Sequence, residues 1–169
     1  MIQTKDPKKT KGQKPKTKDQ RIEIACRQRP ARINFKNMRI VLREILQLLG
    51  LKSFCISVVF CDNKFISKLN RKFFKKSRAT DVISFPLRDD EISKYLGEIV
   101  ISVEQAKRMC DFYGKKWREE LTLYLIHGIL HLVGYNDIKK KERTIMERKQ
   151  EEILSELLKK HKKTVQGIG

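Results

Sequence analysis

His127 and His131 stand four residues apart in the stretch HGILHLVGYND, which ends on Asp137. On an α-helix, such positions lie about 40° apart on one face, one turn above the other. Two imidazoles so placed can hold one tetrahedral metal ion. Gly134 stands three residues past His131, where a helix needs a left-handed residue to reverse its chain. Asp137 comes three residues later, so the reversed chain can return a carboxylate oxygen to the same ion. The chemistry on offer is that of a Lewis acid held by two nitrogens and one oxygen, with a position open to water. Such a set suits iron(II) and manganese as well as zinc. The competing account is a buried helix whose histidines are satisfied within the core. The glycine and the acid at matching offsets favour the metal.

The H-x-x-x-H-x-x-G-x-x-ligand spacing is that of metzincin-type zinc sites. A metalloprotease of that type carries Glu directly after the first histidine as its general base. Here that position is Gly128, which cannot move a proton, so peptide hydrolysis is disfavoured.

Lys and Arg total 39 against 20 Asp and Glu, a net charge of +19. A chain this basic attracts polyanions, above all nucleic acid, because phosphate affinity needs no sequence readout. No apolar run reaches the about 20 residues of a membrane span. The N-terminus has no apolar stretch of the secretory kind. Cys26, Cys55, Cys61 and Cys110 form no CxxC pair, which speaks against a zinc ribbon and for reduced thiols in a cytoplasm.

The elements that must position the histidines alternate along the chain. Residues 1–20 hold seven lysines and almost no apolar side chain, and are expected to be a disordered, RNA-attracting tail. Strands are expected over 21–28, 54–62, 81–87 and 96–102. Helices are expected from the Asn34 cap to Gly50, over 63–74, over 103–114 with Gly114 closing it, and over 138–163. Residues 117–134 are apolar on almost every side beyond Glu120, so the helix that carries the histidines is enclosed by the fold. The class is α+β, one domain over residues 21–160. Residues 161–169 read as a C-terminal tail with His161 exposed.

HGILHLVGYND resembles the H-G-x-L-H-L-x-G-Y-D-H signature of the YbeY family, matching at His127, Gly128, Leu130, His131, Leu132, Gly134 and Tyr135. LNRKFFKKSRATDVISFP resembles a second family segment, matching at Leu69, Asn70, Thr80, Asp81, Val82, Ser84, Phe85 and Pro86. LGEIVIS is similar to a third, with Glu98 at its acidic position. The likeness spans roughly residues 21 to 155. It implies a four-stranded mixed sheet with helices around a buried metal-bearing helix. It also implies a zinc-dependent, single-strand-specific endoribonuclease that matures the 3′ end of small-subunit ribosomal RNA and serves ribosome quality control. The implied partners are that RNA and the small ribosomal subunit or its proteins.

Two positions depart from the pattern. Asp137 stands where the third histidine ligand is expected, which makes His127, His131 and Asp137 the candidate zinc ligands here. Phe73 stands at the family's aromatic position and Phe74 at the arginine implied to line the cleft. RKFFKKSR (71–78) carries Arg71, Lys72, Lys75, Lys76 and Arg78 with no acid, and such a loop can bind phosphate and stabilise charge developing at phosphorus. Lys75 and Arg78 are the candidates for that stabilisation, and Arg71, Lys72 and Lys76 for holding the RNA backbone. Thr80, Asp81 and Ser84 are expected to brace the cleft wall, with Gly134 shaping the turn. Phe73 and Phe74 either stack on unpaired bases or are core. The rival reading is a ribosome-assembly factor that binds RNA without cutting it, its metal site degenerate.

Overall fold

β2 (Phe54–Cys61) explains the sheet, because both of its faces are largely covered. Phe54, Ile56, Val58 and Phe60 point to one side and are fully buried, and Val59 and Cys61 belong to a second cluster on the other side. A computed structural model of the chain describes residues 20–27, 32–87, 95–113 and 116–169. The expected tail over 1–20, Gln20 apart, and the closing role of Gly114 lie outside the described residues.

In chain order the elements are β1 (Gln20–Cys26), α1 (Phe35–Leu48), β2, α2 (Asn63–Phe74), β3 (Val82–Pro86), β4 (Tyr95–Ser102), α3 (Val103–Tyr113), α4 (Trp117–Leu132) and α5 (Lys140–Gln166). The sheet order is β1-β2-β4-β3. β1, β2 and β4 run parallel, and β3 is antiparallel to β4. This is an α+β domain with a four-stranded mixed sheet. Asn34 caps α1 by accepting from Asn37 N–H at 3.2 Å, and Asp62 caps α2 by accepting from Phe65 N–H at 2.7 Å.

The larger core lies where α1, α4 and α5 gather around one face of the sheet. α1 contributes Met38, Val41, Leu42, Ile45 and Leu46. α4 contributes Leu121, Leu125, Ile126, Ile129 and Leu130, each wholly buried. The smaller core joins Ile66 of α2 to Cys61, Ile83 and Val100. Cys26, Cys55, Cys61 and Cys110 form no disulfide with one another, and burial pushes the Cys61 thiol up to about 12. Among the described residues, no helix is long and apolar enough to cross a membrane.

Residues 161–169 are not a tail. α5 bends at His161 (φ −128°, ψ 27°) and continues to Gln166. Val165 and Ile168 are fully buried, and Asn34 N–H donates to Ile168 O at 2.9 Å. His161 Nε2 lies 3.4 Å from Glu44 Oε2 on α1, so it is a packed residue. The lysines around Val165 and Ile168 hide two apolar anchors that α1 and the C-terminal turn bring together. Ile168→Ala is expected to lower the unfolding free energy by about 2–4 kcal/mol in urea titration. A loss below about 1 kcal/mol would detach the C-terminus from the core.

Candidate metal centre

α4 ends because its chain reverses at Gly134. That residue has φ +99°, a left-handed backbone that suits glycine. Tyr135 N–H donates back to Leu130 O at 2.9 Å and Gly134 N–H to His131 O at 3.1 Å, a Schellman-type reversal. The turn does two things for the site. It places Tyr135 O 3.1 Å from His131 Nδ1, and it brings Asp137 back over the helix end. Arg143 then holds the returning strand by donating from Nε to Asp137 O at 3.0 Å.

The three side chains converge. His127 Nε2 and His131 Nε2 are 3.1 Å apart, and Asp137 Oδ2 is 3.9 Å from each. Donors around a tetrahedral zinc with bonds of about 2.0–2.1 Å stand about 3.3 Å apart. The triangle is therefore close to the size one ion needs. Proton placement agrees. Tyr135 O can only accept, so His131 Nδ1 is the donor there, and its Nε2 is a bare lone pair. His127 Nδ1 lies 3.0 Å from Gln150 Oε1 and donates to it in the same way, which leaves its Nε2 bare as well. With both Nδ1 atoms donating, the two Nε2 lone pairs and a carboxylate oxygen face one point, an arrangement that a cation satisfies. Burial, and then the neighbouring His127, hold His131 below the usual imidazole range, so it is neutral and ready to ligate. These residues can hold a divalent metal, and one side stays open, the His side chains being 28% and 27% exposed and Asp137 41%.

The triangle lies in a cleft of about 560 Å³ whose wall includes Asn70, Phe74, Lys76, Thr80, Asp81 and Ser84. Asp81 Oδ1 accepts from Thr80 Oγ1 and from Val82 N–H, both at 2.9 Å, which stiffens the entry to β3. Ser84 Oγ donates to Gly128 O at 3.1 Å, tying β3 to the metal-bearing helix. The basic residues divide. Lys76 lines the cleft, whereas Arg71, Lys72, Lys75 and Arg78 are exposed and are not among its lining residues. Nor is the segment wholly a loop: Arg71 and Lys72 belong to the last turn of α2, and Lys75 ends that helix in a left-handed conformation (φ +57°). Phe73 and Phe74 are 52% and 49% exposed, so they are not core.

Two positioning residues escape a reading by sequence alone. Gln150 orients His127 from α5, and no local pattern links residues so far apart. Asn70 is buried on the apolar side of α2; its Nδ2 donates to Arg78 O at 2.8 Å and its backbone carbonyl accepts from Lys76 N–H at 3.3 Å. A polar residue four positions after Ile66 on that face is the signal that could have flagged it. Gln150→Ala is expected to weaken metal affinity about 10- to 100-fold in chelator competition, with the fold retained. Unchanged affinity would mean that Gln150 does not orient the ligand.

The sequence profile described as Endoribonuclease YbeY matches residues 23–158. A protein of that name from Persephonella marina is 36% identical over 139 residues, covering 79% of this chain and 90% of its own. The Sulfurihydrogenibium protein of the same name is 36% identical over 148 residues, covering 85% and 97%. That of Carboxydothermus hydrogenoformans is 41% identical over 102 residues, covering 60% and 71%. The fold is similar to the solution structure of a Thermotoga maritima protein, with a TM-score of 0.62 at 23% identity over 84% of this chain and 92% of that one. This chain belongs to the YbeY endoribonuclease family.

Proposed function

We propose that this chain is a zinc-dependent endoribonuclease that cuts single-stranded RNA in the cytoplasm. Its implied setting is maturation of the small-subunit ribosomal RNA 3′ end and ribosome quality control. The observation that carries the reading is the triangle of His127 Nε2, His131 Nε2 and Asp137 Oδ2 in an open cleft with Lys76 on its wall. A divalent metal held there supplies Lewis acidity and an acidified water near neutral pH.

The chain's own residues do the rest. Gln150 Oε1 and Tyr135 O accept from the two Nδ1 atoms, which fixes the rings with both Nε2 atoms turned towards the metal position. Lys76 binds a phosphate of the RNA backbone. Arg71, Lys72, Lys75 and Arg78 surround it with positive charge that attracts the rest of the strand. Thr80, Asp81 and Ser84 brace the β3 wall of the cleft. No side chain at position 128 can act as a base, because a Cβ there would stand 2.8 Å from Ile99 Cγ2 and 3.1 Å from Ser84 Oγ. That position faces the sheet, which disfavours a protease mechanism on geometry as well as on residue type.

Incubation of single-stranded RNA with the purified protein tests the proposal. Cleavage is expected to fall to background with chelator and in His131→Ala. Tight binding without cleavage would favour the assembly-factor reading, to which the Asp137 and Phe74 departures lend support. Asp137 also lowers the site's charge by one unit relative to an imidazole, so water bound to a metal there would be less acidic and phosphate less attracted. Asp137→His is therefore expected to raise the cleavage rate. An unchanged rate together with unchanged metal affinity would show that Asp137 is no ligand.

A further inference from the structure

Two adjacent phenylalanines on a surface this basic, each about half exposed at 52% and 49%, are costly in water unless something covers them. Phe73 and Phe74 end α2 and stand against one ring, Phe85 of β3. Phe74 stacks beside it with centroids 6.5 Å apart and planes at 29°, and Phe73 meets it edge-on at 5.0 Å. Phe85 thus backs both rings and limits their motion. Of the two, Phe74 is part of the cleft wall, in the same cavity as the metal triangle and Lys76. Its flanking sequence is cationic, with Arg71, Lys72, Lys75, Lys76 and Arg78 and no acid among residues 71–78, while Asp81 and Asp137 are part of the cavity's lining. The Lys72 ammonium lies 5.2 Å from the centroid of Phe73.

We propose that Phe74 is a base-stacking positioning residue, on which an unpaired RNA base lies while Lys76 holds an adjacent phosphate. The proposal rests on the reading that the cleft takes RNA. The cations favour a nucleic acid over a protein as the cover of this patch. A ring offers any base a π-face, and stacking on an aromatic side chain contributes enough to matter by itself. A duplex base is already stacked and paired and cannot be laid on the ring. The same contact therefore selects single strands, and it does so without the charge of the arginine expected at this position.

The test uses the metal-loaded full chain and a 2′-O-methyl phosphorothioate oligoribonucleotide, which resists cleavage, carrying the fluorescent base 2-aminopurine. Wild type is expected to quench the probe on binding. Phe74→Leu is expected to lose the quench and to bind the single strand about 5- to 100-fold more weakly, with duplex affinity unchanged. Phe74→Tyr keeps the ring and is expected to restore both. Equal melting temperatures for the variants and wild type would show the fold intact. Full quench and affinity in Phe74→Leu would overturn the proposal, as would a wild type that binds without quenching. A chain that quenches but cuts no RNA keeps the stacking role and overturns only the nuclease reading.

Discussion

Gly128 has no side chain, and α4 lies against β4 at the separation that permits: a Cβ there would meet Ile99 Cγ2 at 2.8 Å. This contact sets the rotation of α4. With Gly128 facing the sheet, His131 and His127 fall about 60° and 100° to the same side of that direction. Around them Ile126, Ile129, Leu130 and Leu132 are buried, whereas the two imidazoles stay partly exposed towards the cleft. Ser84 reinforces the geometry by donating to Gly128 O, so the strand that walls the cleft is bonded to the helix that floors it. Packing turns the two histidines to one side of α4, and the reversal at Gly134 adds the aspartate.

The electrostatics work at two ranges. Far from the cleft, a net charge of +19 draws a polyanion without regard to sequence. Within it, charge is sparse. Asp137 subtracts a unit that an imidazole would not, and Phe74 puts a ring where a guanidinium is expected. Lys76 is the cation that reaches the cleft wall among the five basic residues of 71–78. On the proposed reading, attraction and positioning of the substrate are separated, the first carried by exposed basic residues and the second by the few groups that line the cleft.

Local patterns made much of this legible. The two histidines, the glycine and the aspartate lie within one short stretch, so spacing alone placed them on a helix end and its return. α2 was readable over its whole length, because its apolar positions repeat at helical spacing. Contacts between distant elements were not readable. Gln150 reaches His127 only because α5 packs on α4. Lys76, and not Lys75 or Arg78, lines the cleft because Lys75 turns the chain in a left-handed conformation, which a lysine gives no reason to expect. The C-terminus looked like a tail because lysines outnumber its apolar residues, yet Val165 and Ile168 suffice to anchor it. Phe73 and Phe74 admitted two readings; both are about half exposed and stand against Phe85 of β3, a contact between elements that the sequence does not show.

The central claim is that two histidines and an aspartate share one metal ion. Anomalous diffraction from crystals grown with zinc tests it most directly. One peak is predicted per chain, within about 2.0–2.2 Å of His127 Nε2, His131 Nε2 and an Asp137 carboxylate oxygen. A peak that leaves Asp137 unbound, or no peak at these residues with zinc in excess, would contradict it.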